Sequence, residues 1–155
     1  MDFSAFVIPI LEEEDQKFQF LPPNKNAINL DCAKIAKICL KDFFPKANII
    51  VWLVDGKFIR DNVNIEYEEG GHSLRYPFIP DNEVWIDHCV PVTDIYNYLL
   101  HELKERSLML TGIGYDAAHA HASKLEGYAR AHPDEIDDLL AKVIIANIEA
   151  AKKGV

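Results

Sequence analysis

The sequence predicts an α+β domain. Three observations carry this: apolar residues recur at helical spacing near the start and through the last third, the middle of the chain changes to β-branched runs and alternation, and glycine and proline punctuate the changes. Phe6 to Leu11 reads as a short strand, and Pro22-Pro23-Asn24 marks the loop after it. From about Ala27 to Phe44, the residues Ile28, Cys32, Ile35, Cys39 and Phe43 share one face at helical spacing. This predicts an N-terminal helix, closed by Pro45.

The middle predicts a mostly antiparallel sheet of four or five strands. Ile49 to Val54 is apolar and β-branched, and Asp55-Gly56 joins it to Lys57-Phe58-Ile59-Arg60. A two-residue Asp-Gly link is a hairpin signal, because both turn positions need positive φ. Val63 to Tyr67 alternates, Gly70-Gly71 turns the chain, and Ser73 to Tyr76 returns antiparallel. After Pro77 and Pro80, Glu83 to Asp87 reads as one more strand.

The last third predicts a three-helix segment. Thr93 or Asp94 caps a helix running to about Leu110, and Gly112 and Gly114 break it. A second helix runs from about Tyr115 and ends before Pro133, which opens the third in the favoured first-turn position. Ile136, Leu140, Val143, Ile144 and Asn147 form one stripe of that helix and predict its core face.

With 155 residues the chain fits a single domain, 1–155, and 49% hydrophobic with 26% charged residues is an ordinary globular composition. The formal charge of −9, with 16 scattered basic residues, argues against nucleic acid as a partner, since tracking phosphates needs concentrated Lys and Arg. The acidic run Glu12-Glu13-Glu14-Asp15 reads as solvated surface, with an acidic face that imitates nucleic acid as the lesser alternative. Cys32, Cys39 and Cys89 have no CxxC pair and suit neither a disulfide framework nor a thiolate zinc site. The start of the chain has no basic region ahead of an apolar one, and no apolar run is long enough to span a membrane. Cytoplasmic residence, away from membranes, is the expectation.

His101-Glu102-Leu103-Lys104-Glu105 is the stretch that carries chemistry. On a helix, His101 and Glu105 are four apart and aim at one point, so an imidazole and a carboxylate can bind one ion. Glu102 is turned about 100° from His101 and can approach a water at that ion as general base. The pattern is HExxE, where the HExxH helix has a second histidine. If Gly112 to Gly114 fold the next helix back antiparallel, His119 comes level with Glu105, and Ser123 to Glu126 with His101. The candidate ligands are therefore His101, Glu105 and His119, with Glu126 as a fourth. Tyr115, four before His119, can bring its hydroxyl to the same place as a hydrogen-bond donor. Zinc comes first, because three ligands and one open position is its usual catalytic arrangement; manganese and ferrous iron also suit the donors. The bland reading is open beside this one: Glu102 and Glu105 as surface charges, His119 and His121 as exposed decoration. His72, His88 and His132 read as structural or solvent-exposed. No GxSxG, P-loop or GxGxxG is present.

The stretch His101-Glu102-x-x-Glu105-Arg106-x-Leu108-Met109-x-x-Gly112-x-x-Tyr115-x-x-Ala118-His119-x-x-Ala122-x-x-x-Glu126 resembles a motif in phage and bacterial proteins of uncharacterised activity. More distantly it is similar to small zincin-type metalloproteases. The resemblance spans roughly residues 83 to 130. It implies a zincin-like arrangement with the strand Glu83 to Asp87 flanking a cleft above the His101 helix. The expected function is a metal-dependent hydrolase acting on a peptide or small-molecule substrate, with Glu102 as base and Tyr115 stabilising the developing oxyanion. Two alternatives stay open: a non-enzymatic interaction protein of phage or mobile-element origin, and a protein whose metal is purely structural.

Overall fold

The computed structural model describes residues 29–42 and 44–153. The strand expected over Phe6 to Leu11, the acidic run and the first residues of the expected N-terminal helix lie outside the described residues. Four strands, β1 (Lys34–Cys39), β2 (Ile50–Val54), β3 (Gly70–His72) and β4 (Glu83–Asp87), form one sheet in the order β1-β2-β4-β3. The helices are α1 (Gly56–Asn62), α2 (Ile95–Leu110), α3 (Tyr115–Ala131) and α4 (Ile136–Lys153). The architecture is α+β, as the sequence predicts, with the helical segment at the C-terminal end. β1 pairs with β2 and β3 with β4 antiparallel, while β2 and β4 run parallel, so the sheet is mixed.

Several elements differ from expectation. Among the described residues between Leu30 and Phe44 there is no α-helix. Instead a short 3₁₀ turn leads into β1, where Ala36 and Ile38 are buried on either side of exposed Lys37. The alternation of period two competes there with the helical spacing of Ile35 and Cys39, and pairing with β2 decides the outcome. Asp55-Gly56 makes no hairpin. The Asp55 carboxylate accepts a hydrogen bond from the Phe58 N–H at 3.1 Å and caps α1, the other use to which Asp is well suited. Val63 to Tyr67 and Ser73 to Tyr76 are turns rather than strands, and Gly70-Gly71, expected as a turn, lies in β3.

The sheet is covered on both faces. Along β2 and β4, Val51, Leu53, Val84 and Ile86 join Leu99, Leu100, Leu103, Leu140 and Ile144 in one core. Trp52, Val54 and Trp85 project oppositely, into a second core with Ile59, Tyr67, Tyr76 and Ile79. Each fully buried Leu or Ile contributes about 1.5–3 kcal/mol. α2 lies centrally, with α3 and α4 packed against it and the sheet beside it. It therefore buries polar residues as well: His101, Glu102, Glu105 and Arg106 are all at most 9% exposed. After α2, Gly112 takes φ +96°, a conformation that suits glycine, and α3 turns back. Asp94 stands at the N-cap position of α2 but makes no capping bond; its carboxylate accepts from Asn97 Nδ2 at 3.0 Å instead. No helix among the described residues is long and apolar enough to cross a membrane.

A candidate metal centre between α2, α3 and β3

Strand alternation and helix spacing build the site together. In β3, a Cβ on Gly71 would meet the Tyr76 ring, so Gly70 and His72 face the other way, toward α2. A Cβ on Gly70 would stand 2.8 Å from Glu102 Oε1, so a larger residue there would displace the Glu102 carboxyl from its present position. His72, fully buried, brings Nε2 to 2.9 Å from Glu105 Oε1. On α2, Glu105 is three residues from Glu102 and four from His101, so it joins the β3-facing and α3-facing sides of the helix.

The α3-facing side holds the tightest grouping. His119 Nδ1 is 2.8 Å and His101 Nε2 is 3.3 Å from Glu105 Oε2, and the two nitrogens are 3.2 Å apart. A triangle of these edges leaves room for a point roughly 2.0 Å from every corner, the bond length of zinc to imidazole and carboxylate. Two imidazole nitrogens this close cannot both present an N–H to one oxygen without crowding. A cation in their place satisfies all three lone pairs. The donor set fits a divalent ion on its own geometry.

The ligand atoms are backed by further groups. Glu126 Oε1 stands 3.0 Å from His101 Nδ1, in ion-pair contact though off the line of a hydrogen bond. That is the ring edge away from the triangle. Glu126 thus faces the far edge of the His101 ring, as an ion-pair neighbour, and does not stand among the converging donors. His72 supports Glu105 through the hydrogen bond at Oε1. The sequence treated His72 as structural or exposed; it is buried at the centre, where β3 meets α2.

Electrostatics separate the two glutamates. Burial alone would raise the Glu105 pKa, but hydrogen bonds from His101, His72 and His119 outweigh it and hold the carboxyl down at about 2. Glu102 is pushed up to about 8, by burial first and then by the charge of Glu105. It makes no hydrogen bond among the described residues, and His72, Glu102 and Glu105 offer ligand atoms within 4.8 Å of one another. For His101, burial opposes the charged form, yet the hydrogen bond to Glu105 and the surrounding carboxylates raise its pKa. Two neighbouring carboxyls driven apart is the pattern of groups with separate acid–base roles. Without a cation nearby Glu102 keeps its proton at neutral pH; positive charge at the triangle favours its ionised form.

A cleft of about 550 Å³ opens onto this centre, lined among others by Arg75, Glu102, Glu105, Tyr115 and His119. That volume suits a small ligand or a short peptide segment. The Tyr115 ring lies 5.4 Å from the His119 ring, and Arg75 covers Tyr115 at 4.6 Å. Arg75 carries no sequence signal, since it is held in a turn whose amides return to the His72 carbonyl. The strand beside the cleft is β3, not Glu83 to Asp87: β4 lies inside the sheet, between β2 and β3.

The other histidines are accounted for locally. His88 Nδ1 meets the Val54 carbonyl at 3.0 Å, His132 stacks on Tyr128, and His121 is exposed. Asp87, His88 and Cys89 also cluster, but the Asp87 carboxylate is already engaged by Arg60 and by the Cys89 N–H. Compared with protein-family models, curated proteins and solved structures, the chain matches none.

Proposed function

We propose that the protein is a metal-dependent hydrolase, with His101, Glu105 and His119 holding one divalent ion. The observation that carries this reading is the triangle of three donor atoms, 2.8 to 3.3 Å on its edges, at the wall of an open cleft. Two imidazoles and one carboxylate with an open position form a donor set of catalytic zinc; ferrous iron uses the same set. A carboxyl beside the triangle with no hydrogen-bond partner among the described residues favours hydrolysis over redox chemistry, because proton transfer is what such a group supplies. The side chain of His119 is 42% exposed toward the cleft, which argues against a closed structural ion.

A bound divalent ion would polarise a substrate carbonyl and make water more acidic. Glu102 then takes a proton from the attacking water as the new C–O bond forms, and passes it to the leaving nitrogen or oxygen as the old bond breaks. Its carboxyl packs against Gly70 and is engaged by no hydrogen bond among the described residues. Tyr115 lines the cleft with its ring against His119, and in this reading its hydroxyl donates to the developing oxyanion. The segment 83–130 that resembles zincins contains all of these residues; His72 and Arg75 lie outside it.

Elemental analysis of protein purified without added metal, followed by turnover of a panel of amide and ester substrates, tests the reading. One ion per chain is expected, and Glu102→Gln should lower turnover by about 10²–10⁴-fold with the ion retained. Protein without stoichiometric metal would favour an interaction module, and an ion lost in Glu102→Gln would reject the division of roles.

A further inference from the structure

The chain has four arginines, and three are bound to carboxylate or carbonyl oxygens. Arg60 meets Asp87, Arg130 meets Asp94 and Glu126, and Arg106 donates to Asn147 and to the Asp81 carbonyl. Arg75 differs. It lines the cleft, makes no ion pair among the described residues, is hydrogen-bonded to the Tyr115 side chain, and has a buried Nε without a hydrogen-bond partner. Its guanidinium carbon lies 4.6 Å from the Tyr115 ring centre and 5.0 Å from that of Tyr76, in cation–π contact with both. Cation–π contact of this kind holds a guanidinium in place while leaving N–H groups available beyond the one hydrogen bond to Tyr115.

We propose that Arg75 binds a carboxylate of the substrate, close to the bond that is hydrolysed. The proposal rests on the hydrolase reading and adds the substrate class to it: N-acyl amino acids, or the C-terminal end of a short peptide.

Three features carry the inference. A planar guanidinium matches a carboxylate with two parallel hydrogen bonds. The cleft also carries Glu68, Glu69, Glu102, Glu105 and Glu126, so an incoming dianion meets much acidic charge and only one guanidinium that has no carboxylate partner among the described residues. A monoanion fits that balance better than a phosphate. Finally, Tyr115 touches both Arg75 and His119, so guanidinium and candidate ligand lie within roughly 10 Å, about three residues of extended chain. The turn holding Arg75 begins at His72, the residue that supports Glu105, so the carboxylate site and the candidate metal centre share one rigid support.

The test is calorimetric titration of the full chain, with and without zinc, using N-acetyl-alanyl-alanine and its C-terminal amide. The free acid should bind at least about tenfold more tightly, as a charge-assisted hydrogen-bonded pair implies. Arg75→Met should remove the difference and Arg75→Lys keep part of it; thermal melts confirm that each variant is folded, with Arg75→Gln as the substitute if Met is not tolerated. Equal affinity for acid and amide, binding of neither, or an acid preference that survives loss of Arg75 overturns the proposal. Benzoate and phenyl phosphate, titrated in parallel, separate the two anions: tighter Arg75-dependent binding of the phosphate overturns the carboxylate assignment. Zinc content is measured on the same samples. Zinc that fails to bind while the acid preference persists rejects the metal centre and leaves the carboxylate site standing; bound zinc without acid preference does the reverse.

Discussion

Glu105 and Arg106 are neighbours on α2, both buried, and they serve opposite faces of the helix. Toward α4, Arg106 donates to Asn147 Oδ1 at 2.7 Å and to the Asp81 carbonyl at 2.8 Å. Asn147 donates in turn to the Leu103 and Val143 carbonyls, both at 2.8 Å. Donors there meet acceptors nearly one for one; only Arg106 Nε is left over. Toward α3 and β3 the balance is different. Three imidazoles crowd one carboxylate, and a second carboxyl beside it has no hydrogen-bond partner among the described residues. Buried polar groups cost free energy unless satisfied, so a region whose donors match its acceptors reads as structure, and one that converges three lone-pair-bearing groups on a point at the wall of a cleft reads as a place for a ligand. Exposure alone would not have separated them.

The largest effect is expected on the structural side. Asn147→Leu removes the principal partner of a buried guanidinium and should destabilise the fold by about 3 kcal/mol, read by denaturant unfolding. Adding Arg106→Met should restore most of that loss, because the isolated charge goes with it. Metal content per folded chain should stay unchanged throughout. A loss of metal in Asn147→Leu at conditions where it remains folded would break the division between the two faces.

A smaller effect sharpens the other side. His72→Leu takes away the support of Glu105 Oε1 and should weaken metal affinity by about 10–100-fold, as loss of a group behind a ligand does. Competition with a chromophoric chelator measures it. An unchanged affinity would make His72 a packing residue only.

The sequence made the second region partly readable and left its surroundings dark. His101, Glu105 and His119 are found by spacing because they lie on two helices joined by a glycine turn, where rise per residue converts position into height. The apolar stripe of α4 is legible for the same reason. Residues 30–76 were harder, since their signals are local and their causes are not. Gly56 is required where a Cβ would stand 2.0 Å from Asp87 Oδ2, a residue 31 positions away. Gly70 lies against Glu102, and no turn rule contains that information. His72 and Arg75 follow from the same contact between β3 and α2, which exists only once the sheet order is set. Glu126 was rightly placed level with His101 but its side of the ring could not be read from height alone.

The smallest expected effect concerns the clamp that closes the α2–α3 hairpin. Arg130 meets both Asp94 oxygens at the start of α2 and, through Nε, Glu126 Oε2 at 2.9 Å; Glu126 in turn is an ion-pair neighbour of His101. Asp94 and Arg130 side chains are 24% and 40% exposed, so solvent screens the pair and Asp94→Asn should cost less than about 1 kcal/mol. The hydrogen bond from Arg130 lowers the Asp94 pKa, against an opposing effect of burial. A depressed carboxylate stabilises the fold above its unfolded pKa of roughly 3.9 and loses that contribution as pH falls through the lower folded value. The difference in stability between the natural chain and Asp94→Asn should therefore be full at neutral pH, shrink in acid, and diminish with added salt. Unfolding curves at several pH values and salt concentrations measure it. Because Arg130 keeps Glu126 when Asp94 is gone, metal affinity should barely change; a drop as large as that of His72→Leu would mean that the surface clamp, rather than the buried contacts, holds the imidazole in place.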